Sequence, residues 1–288
     1  MKKEKIQAFL ALFTATFFWA SAYIFVKQLL DNVSPYVMLV VRFGLASLIL
    51  IAIYNKRLLQ INREILKAGI IMGVFLFGEF FTFTVGLQYT TTSRSSLIIA
   101  SYIIILPFAY LLIMRKRPSL SDIIVSIICM IGVFFIVGND LGSFHLGDVY
   151  CILCALSYAL YIVISSKYSK RYDSGILNVL QVSTTATLSM VVLLFVKDHR
   201  FYVTFRDGFQ LIYLIILCTT LPFFLILYGM KHISATTSGI LLSFESVMAA
   251  FMGIMVLHEP FTLNLFIGGT IIILSFILSE LLPKILKK

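Results

Sequence analysis

Residues 229–260 read GMKHISATTSGILLSFESVMAAFMGIMVLHEP, and this stretch decides the fold. Its apolar run is long enough to cross the ~30 Å hydrocarbon layer of a membrane. Inside that run stands one carboxylate, Glu245, with no charged residue within twelve positions on either side. Placing an acid at such a depth costs roughly 2.5–3.5 kcal/mol. The stretch is therefore predicted to be a membrane helix that carries a functional acid.

Similar apolar runs occupy most of the chain. Of its 288 residues 60% are hydrophobic and only 12% are charged, whereas about 25% are charged in soluble domains. The runs span residues 6–28, 35–54, 65–88, 95–114, 120–138, 147–166, 176–196, 208–230, 234–257 and 262–282. They leave no room for a soluble domain. We expect an all-α membrane protein with ten transmembrane helices.

The basic residues indicate how the chain is oriented. The net charge is +10, which in a soluble protein would suggest nucleic-acid binding, but here the charges are dispersed over short loops. If the N-terminus is cytoplasmic, 17 Lys and Arg residues fall in the inside segments and four in the outside loops. This asymmetry predicts that both termini are cytoplasmic, and we expect no nucleic-acid partner.

The N-terminal run and the cysteines resemble, on first inspection, a secretory signal and a metal or redox site, but neither interpretation holds. Residues 1–22 resemble a secretory signal, yet the apolar run is too long for a signal core and nine similar runs follow, so we expect no cleavage. The four cysteines all lie inside apolar runs, where cysteine packs as a small hydrophobic residue. Cys151 and Cys154 form a CxxC motif without a histidine or a second pair nearby. We therefore predict no cofactor and no metal site.

The chain aligns with itself without a gap at a shift of 143 positions. The matched pairs are Phe80 with Phe223, Phe81 with Phe224, Gly86 with Gly229, Ser95 with Ser238, Phe108 with Phe251, Leu120 with Leu263 and Ile124 with Ile267. We therefore predict two five-helix units, residues 1–143 and residues 144–288. Because five is odd, the second unit is expected to be inverted in the membrane. Inverted repeats with polar groups near the midplane are typical of secondary transporters, whose site lies where the repeats meet.

Residues of unusual chemistry also fall in pairs. The pairs are Glu79 with Pro222 and Tyr102 with Glu245 at the shift of 143, and Trp19 with Tyr158 and Arg42 with Gln181 at a shift of 139. Proline inside a helix removes a backbone hydrogen bond. Pro222, and Pro107 in the fourth run, are therefore predicted to break or kink their helices and to act in gating.

Aromatic residues form a stripe in the first run of each unit. Trp19 and Tyr23 share one helix face, and Tyr158 and Tyr161 share another. Because Trp19 lies midway along its run, away from the membrane interface where aromatic belts form, we interpret the stripe as the wall of a cavity. The predicted substrate-binding residues are Trp19, Tyr23, Glu79, Tyr102, Tyr158, Tyr161 and Glu245.

Two further polar groups have competing interpretations. Arg42 lies two turns into the second run, where it either extends to the membrane surface as an anchor or pairs with a buried acid. The polar residues of the seventh run include Asn178 and Gln181. Small polar residues commonly form hydrogen bonds between membrane helices, so we assign this group a structural role.

Several motifs resemble one known family. They are Phe18-Trp19-Ala20-Ser21, Pro35 through Arg42-Phe43-Gly44, Gly86-Leu87-Gln88-Tyr89-Thr90-Thr91-Thr92-Ser93, Met230-Lys231-His232-Ile233-Ser234-Ala235-Thr236, and Leu257-His258-Glu259-Pro260, which resembles a Leu-Gly-Glu-Pro turn. Over its whole length the chain resembles the drug/metabolite transporter superfamily, specifically its ten-helix EamA-type members. Departures are residues 115–118, which lack the acid of that turn, Ser246 in place of a common proline, and Ser275 in place of a glycine.

The resemblance implies a basket of ten helices around a central cavity that moves small metabolites such as amino acids across the cell (inner) membrane. We expect an exporter working by alternating access, in which Glu79 and Glu245 bind a cationic group or a proton. A proton-coupled importer uses the same residues, because the gradients set the direction. An enzyme is not expected, since the chain has no HExxH or GxSxG motif, and a membrane scaffold leaves the buried acids unexplained. The expected partners are a small-molecule substrate, protons and membrane lipids, and the chain is expected to be a monomer or a weak homodimer.

Overall fold

The computed structural model of the protein describes residues 2–115, 117, 119–138 and 145–285. These residues form thirteen α-helices and no extended strand. The helices are α1 Lys2–Leu29, α2 Pro35–Tyr54, α3 Arg63–Gly86, α4 Thr92–Ile99, α5 Tyr102–Met114, α6 Leu120–Gly138, α7 Leu146–Ser169, α8 Ser174–Leu193, α9 Phe205–Ile215, α10 Leu221–His232, α11 Ala235–Leu242, α12 Phe244–Leu257 and α13 Leu263–Ile285. A 3₁₀ turn, Asn55–Gln60, follows α2, and a π-helical turn, Ile216–Thr220, joins α9 to α10.

The helices have the lengths and compositions that membrane spans require. Eight helical stretches among the described residues are long and apolar enough to cross a membrane, and two shorter apolar helices are Ile123–Gly132 and Leu263–Ser275. Each predicted run coincides with one helix or with a consecutive pair, namely α4–α5, α9–α10 or α11–α12. The prediction of an all-helical, multi-pass membrane protein is confirmed. The predicted unit boundary between residues 143 and 144 lies outside the described residues, as do Lys116 and Pro118.

The helices of the two halves pack against each other in a reciprocal pattern. Helix α1 packs against α10 and α12, while α7 packs against α3 and α5. Two glycines permit the close contacts: a Cβ at Gly86 would meet Cβ of Tyr150 on α7 at 2.8 Å, and a Cβ at Gly229 would meet Cγ of Leu12 on α1 at 2.5 Å. The absence of a side chain at these two sites therefore lets each half's third run approach the first run of the other half.

Five connecting segments meet at one end of the bundle, which we call the Glu259 end. It comprises residues 27–34, 87–94, 145–148, 198–207 and 257–262. An isolated antiparallel bridge joins Val33 to Phe201 there, and Ser34 N donates to Arg200 O at 2.9 Å. At the other end Arg57 and Asp173 form an ion pair of 3.2 Å between exposed side chains.

Two membrane runs are interrupted at equivalent places. The break between α4 and α5 falls at residues 100–101, and the break between α11 and α12 falls at Ser243. Both are tightened turns with hydrogen bonds over three residues, from Ile103 N to Ala100 O at 3.2 Å and from Ser246 N to Ser243 O at 3.1 Å. The interruption in the ninth run therefore forms although Ser246 replaces the family's proline.

The same two runs end in left-handed backbone. Arg115 after α5 has φ 54° and His258 after α12 has φ 55°, the two positive φ values at non-glycine residues in the described chain. Glycine is the usual residue in this conformation, and glycine is what the family's turn has at the position of His258. Arg115 and His258 are 143 positions apart, so equivalent positions have equivalent backbones.

Candidate functional site

A cavity lies between α1, α2, α3, α7 and α12, where helices of both predicted units meet. The two isolated acids, Glu79 on α3 and Glu245 on α12, both border it. The complete lining is Trp19, Ala22, Tyr23, Arg42, Glu79, Phe80, Phe83, Ile99, Cys154, Tyr158 and Glu245. Five of the seven predicted substrate-binding residues are thus brought together around one space.

The backbone carbonyl of Cys218 anchors one wall of this cavity. In an α-helix it would accept a hydrogen bond from the residue four positions later, which here is Pro222 and has no N–H. Two side chains donate to it instead, Trp19 Nε1 at 3.1 Å and Arg42 Nη2 at 2.9 Å. Pro222 therefore leaves free an acceptor that fixes two side chains of the cavity.

The π-helical turn Ile216–Thr220 precedes Pro222 directly. Within it Thr219 Oγ1 donates to Leu214 O at 2.8 Å, and the same oxygen accepts from Arg42 Nε at 2.6 Å. Single π turns inside helices occur frequently at functional sites. Here the turn gives Arg42 two acceptors from adjacent residues, the backbone carbonyl of Cys218 and the side-chain hydroxyl of Thr219.

Arg42 and Glu79 each keep one polar atom free. Arg42 is 1% exposed, and its guanidinium carbon lies 4.7 Å from the centroid of the Phe80 ring. Neither Arg42 Nη1 nor Glu79 Oε2 has a hydrogen-bond partner among the described residues. Because buried polar atoms are nearly always paired, an unpaired donor and an unpaired acceptor in one cavity indicate groups that bind a ligand or water.

Arg42 lies near the buried acids, as the second alternative expected, but it forms no direct ion pair with either of them among the described residues. It does not extend to the membrane surface; it lines the same cavity as both acids. Its positive charge lowers the cost of burying a carboxylate nearby. The lining thus contains two carboxyl groups and one guanidinium.

Aromatic rings form most of the remaining wall. The Trp19 ring lies edge-to-face with Tyr158 at 5.9 Å and with Phe223 at 5.3 Å between centroids, and Tyr23 lies edge-to-face with Phe83 at 4.7 Å. Aromatic faces attract cations as well as apolar groups. The wall is therefore chemically suited to a substrate with an apolar or cationic part.

Tyr102 and Tyr161 lie behind this wall rather than in it. The ring of Tyr102 packs on Tyr158 with 4.4 Å between centroids, and its hydroxyl donates to Gly239 O. Tyr161 donates its hydroxyl to Gln181 Oε1 at 3.1 Å. Tyr102 thus supports a residue of the wall, and neither tyrosine is among the lining residues.

Pro107 differs from Pro222 in its surroundings. Helix α5 continues through Pro107, and the interruption of the fourth run lies before it, at residues 100–101. The carbonyl that Pro107 leaves free is that of Ile103, which accepts from Ser126 Oγ at 3.2 Å. This proline therefore joins α5 to α6, away from the cavity.

The cavity is closed in this conformation. The space that the centre of a water molecule can reach measures about 30 Å³, which suffices for a few waters at most. A metabolite therefore enters only if the surrounding helices separate.

The carboxylate of Glu259 fastens the Glu259 end. Its Oε1 accepts from Thr92 N at 2.7 Å, its Oε2 accepts from Ser93 N at 2.8 Å, and Ser93 Oγ also donates to it. A carboxylate is favourable at a helix N-terminus, where N–H groups lack partners. The Leu257–Pro260 turn thereby ties the end of α12 to the beginning of α4.

Two basic residues add to this fastening. Arg94 forms a two-bond ion pair with Asp148 at 2.8 and 2.9 Å, which links α4 to α7. Lys27 Nζ donates to Leu87 O at 2.7 Å and to Thr90 O at 2.8 Å. The helices that wall the cavity are thus held together at this end.

Sequence reasoning missed the backbone part of the site. Cys218 was assigned a packing role, and the structure adds a binding role for its carbonyl. A signal was present, because a proline at position 222 always leaves the carbonyl at position 218 without its helical donor. What the sequence lacked was the information that Arg42 and Trp19 reach that carbonyl from other helices.

Comparison with known proteins gives transporters as similar proteins over most of the chain. The model of the EamA-like transporter family matches residues 6–138 and again residues 145–281. A relative from Archaeoglobus fulgidus, named an uncharacterized transporter, is 24% identical over 96% of this chain and 87% of its own length. The uncharacterized transporter YoaV of Bacillus subtilis is 22% identical over 93% of this chain and 94% of its own.

A solved crystal structure has a similar fold. It matches with a TM-score of 0.78 over 98% of this chain and 99% of its own, at 18% sequence identity. At that identity the match establishes the architecture alone.

Proposed function

The chain belongs to the EamA-like transporter family, whose members are transporters rather than enzymes, and from that premise we propose that it is a secondary exporter of small metabolites such as amino acids. It works by alternating access in the cell membrane, as ten helices in two inverted five-helix units. A substrate bound in the central cavity exchanges with a proton. The membership confirms the resemblance to the drug/metabolite transporter superfamily.

Three observations support the arrangement in two inverted units. The family model matches twice, on either side of residues 139–144. Helix packing is reciprocal between the halves. The left-handed residues Arg115 and His258 end equivalent helices. Glu259, which follows His258, contacts the beginning of α4. Arg115 lies at the opposite end of that same run, so the two left-handed residues lie at opposite ends of the bundle.

This arrangement is tested by chemical labelling from outside the cell. Arg117→Cys and Pro260→Cys place a single exposed thiol at each of two positions, since the four native cysteines are buried. An impermeant maleimide is expected to label the variant at position 260 and not the one at position 117. Labelling of both from the same side contradicts the inverted arrangement.

The observation that carries the transport proposal is the charge balance of the cavity. Its lining has two carboxyl groups and one guanidinium. Arg42 compensates one ionised carboxylate, and an uncompensated second one is costly in a closed cavity. The second carboxyl group is therefore balanced either by a proton or by a cationic group of the substrate. Competition between the two is the basis of exchange.

The test uses purified protein in liposomes with a pH-sensitive dye inside, to which each proteinogenic amino acid is added in turn. We expect one or more of them to drive proton movement in the wild type. Glu79→Gln and Glu245→Gln are each expected to abolish this movement while substrate–substrate exchange persists. Glu64→Gln, at the surface of α3, is the matched control and should behave as wild type. Unchanged dependence on the pH gradient in both cavity variants would refute proton exchange.

The same vesicles distinguish export from the alternative of proton-coupled import. A pH gradient is imposed across the vesicle membrane in either direction, and the net flux of substrate is measured. The flux found with the gradient oriented as in the cell assigns the direction of transport. The substrate itself is best identified by comparing metabolites in the medium of an overexpressing strain with those of a deletion strain.

A further inference from the structure

A second and larger space lies on the side of the bundle, between α1, α9 and α12. It measures about 560 Å³, many times the central cavity. Its walls are apolar over most of their length, with Phe25 on α1, Phe209 on α9, and Met252 and Val256 on α12. Phe209 is 71% exposed. In a membrane-spanning chain such a side faces the lipid, so the groove opens to the bilayer.

One end of this lateral groove is polar. Gln28, Arg206 and Gln210 line it, near the beginning of α9 and therefore near a membrane surface. Gln210 Nε2 donates to Gln28 Oε1 at 2.6 Å, while Gln210 Oε1 has no partner. Gln210 is 5% exposed, so its free carbonyl oxygen is a buried acceptor on a residue that lines the groove.

Arg206, the cation at this end, forms no ion pair among the described residues, although its charge acts on the adjacent Asp207. Within the described chain, Arg206 makes one long hydrogen bond, of 3.4 Å, to Gln28 Oε1. Its neighbour Asp207 is engaged elsewhere, accepting from Thr204 Oγ1 at 2.9 Å and from Asn32 Nδ2 at 3.1 Å. The groove end thus combines a free positive charge with an unpaired acceptor.

We propose that the lateral groove is a binding site for one anionic phospholipid, with an acyl chain along the apolar walls, the phosphate on Arg206 and a headgroup hydroxyl on Gln210 Oε1. The apolar walls, the arginine and the free carbonyl oxygen follow one another along the groove in the same order as the acyl chain, phosphate and headgroup of a phospholipid. The long apolar part lies toward the membrane interior, and the anion lies at the interface. An arginine guanidinium binds phosphate oxygens through charge-assisted hydrogen bonds.

The groove and the central cavity share two helices. Helix α1 carries Phe25 in the groove and Tyr23 in the cavity, while α12 carries Met252 and Glu245 in the same respective places. A lipid in the groove therefore packs against the outer surface of two helices that must move to open the cavity. The site is distinct from that of the proposed substrate.

Native mass spectrometry tests the proposal. The full chain is reconstituted in nanodiscs of phosphatidylcholine containing phosphatidylglycerol, released into mild detergent, and analysed for retained lipid. We expect one phosphatidylglycerol per chain in the wild type. Arg206→Gln is expected to lower its occupancy roughly five- to tenfold, and Met252→Trp, which fills the groove, to abolish it.

Two control variants match these substitutions. Arg200→Gln removes an arginine from the same loop that is paired with Asp198 at 3.0 Å, and Met255→Trp adds the same bulk on α12 at a position outside the groove lining. Both should retain the lipid. The proposal is overturned if Arg206→Gln and Arg200→Gln retain equal amounts of phosphatidylglycerol, or if Met252→Trp still retains it. It is also overturned if phosphatidylcholine occupies the site as readily as phosphatidylglycerol. It is also overturned if detergent alone, or a second copy of the chain, occupies the groove.

Discussion

Arg42 and Gln181 occupy equivalent positions of the two halves, and both are fully buried, yet their surroundings differ. Gln181 belongs to a neutral network, donating to Asn178 Oδ1 at 3.1 Å and accepting from Tyr161 at 3.1 Å. Arg42 is a charge that binds backbone at Cys218 and keeps one nitrogen free. A satisfied network rigidifies a helix contact, whereas unsatisfied charged groups are retained for binding. The two equivalent positions therefore differ: Gln181 holds helices together, whereas Arg42 lines the cavity with a charge that is not fully paired.

The largest effect is expected when the charged position is made like its neutral counterpart. Arg42→Gln removes the one cation of the cavity lining, and a buried carboxylate left without a compensating charge costs about 3–5 kcal/mol. We expect a lower unfolding temperature and loss of transport, measured in detergent and in proteoliposomes. Arg200→Gln, at an exposed arginine, is the control and should change neither. Wild-type transport by Arg42→Gln would show that position 42, like position 181, has only a structural role.

A smaller effect is expected from restoring the missing backbone donor. Pro222→Ala supplies an N–H to the Cys218 carbonyl, which then competes with Arg42 and Trp19. Losing a net hydrogen bond of about 1–1.5 kcal/mol corresponds to roughly a tenfold lower transport rate, without loss of folding stability. The carbonyl that Pro107 leaves free is that of Ile103, and it is bound by Ser126 rather than by a cavity residue. The transport rate of Pro107→Ala should therefore stay near wild type. Equal effects of the two substitutions would contradict a special role for Pro222.

The neutral network is expected to affect stability and not coupling. Tyr161→Phe removes the donor to Gln181 Oε1 and leaves that oxygen buried and unpaired, at a cost of about 1–3 kcal/mol. The unfolding temperature should fall, while the dependence of transport on the pH gradient should match wild type. A changed pH dependence in this variant would place Gln181 in the working site together with Arg42.

The smallest effect concerns the left-handed turns. A non-glycine residue in this conformation is strained by roughly 1–2 kcal/mol, and glycine's greater freedom in the unfolded chain offsets part of the relief. His258→Gly is therefore expected to raise the free energy of unfolding by less than about 1 kcal/mol, and Arg115→Gly by a similar amount. A destabilised His258→Gly would show that the imidazole itself stabilises the turn before Glu259.

Much of the fold was predictable because membrane helices are encoded locally. Apolar runs located the helical segments, each of which is one described helix or a consecutive pair, and their isolated acids, Glu79 and Glu245, border one cavity. Tyr161 was assigned to the cavity from its helical spacing with Tyr158, and Tyr102 from its pairing with Glu245 at the shift of 143. Spacing gives the face of a helix but not the neighbour that covers it, and here Gly239 and Gln181 bind their hydroxyls behind the wall.

The unpredicted parts depend on backbone geometry and on contacts distant in sequence. No local pattern marks the π-helical turn Ile216–Thr220, since its apolar and threonine residues also suit an α-helix. The hydrogen bond from Trp19 to Cys218 joins residues 199 positions apart. The break at Ser243 formed without proline because the tightened turn there needs only hydrogen bonds over three residues.

The π-helical turn also changes the register of the helical run that contains it. Such a turn accommodates one residue more than an α-turn, so every side chain beyond it is rotated by about 100° relative to an uninterrupted helix. That rotation lets one continuous run present Phe209 and Gln210 to the bilayer side and Phe223 to the aromatic wall. Deleting a single residue from Ile216–Thr220 would realign the two ends, and one of the two surfaces would lose its side chains to the other.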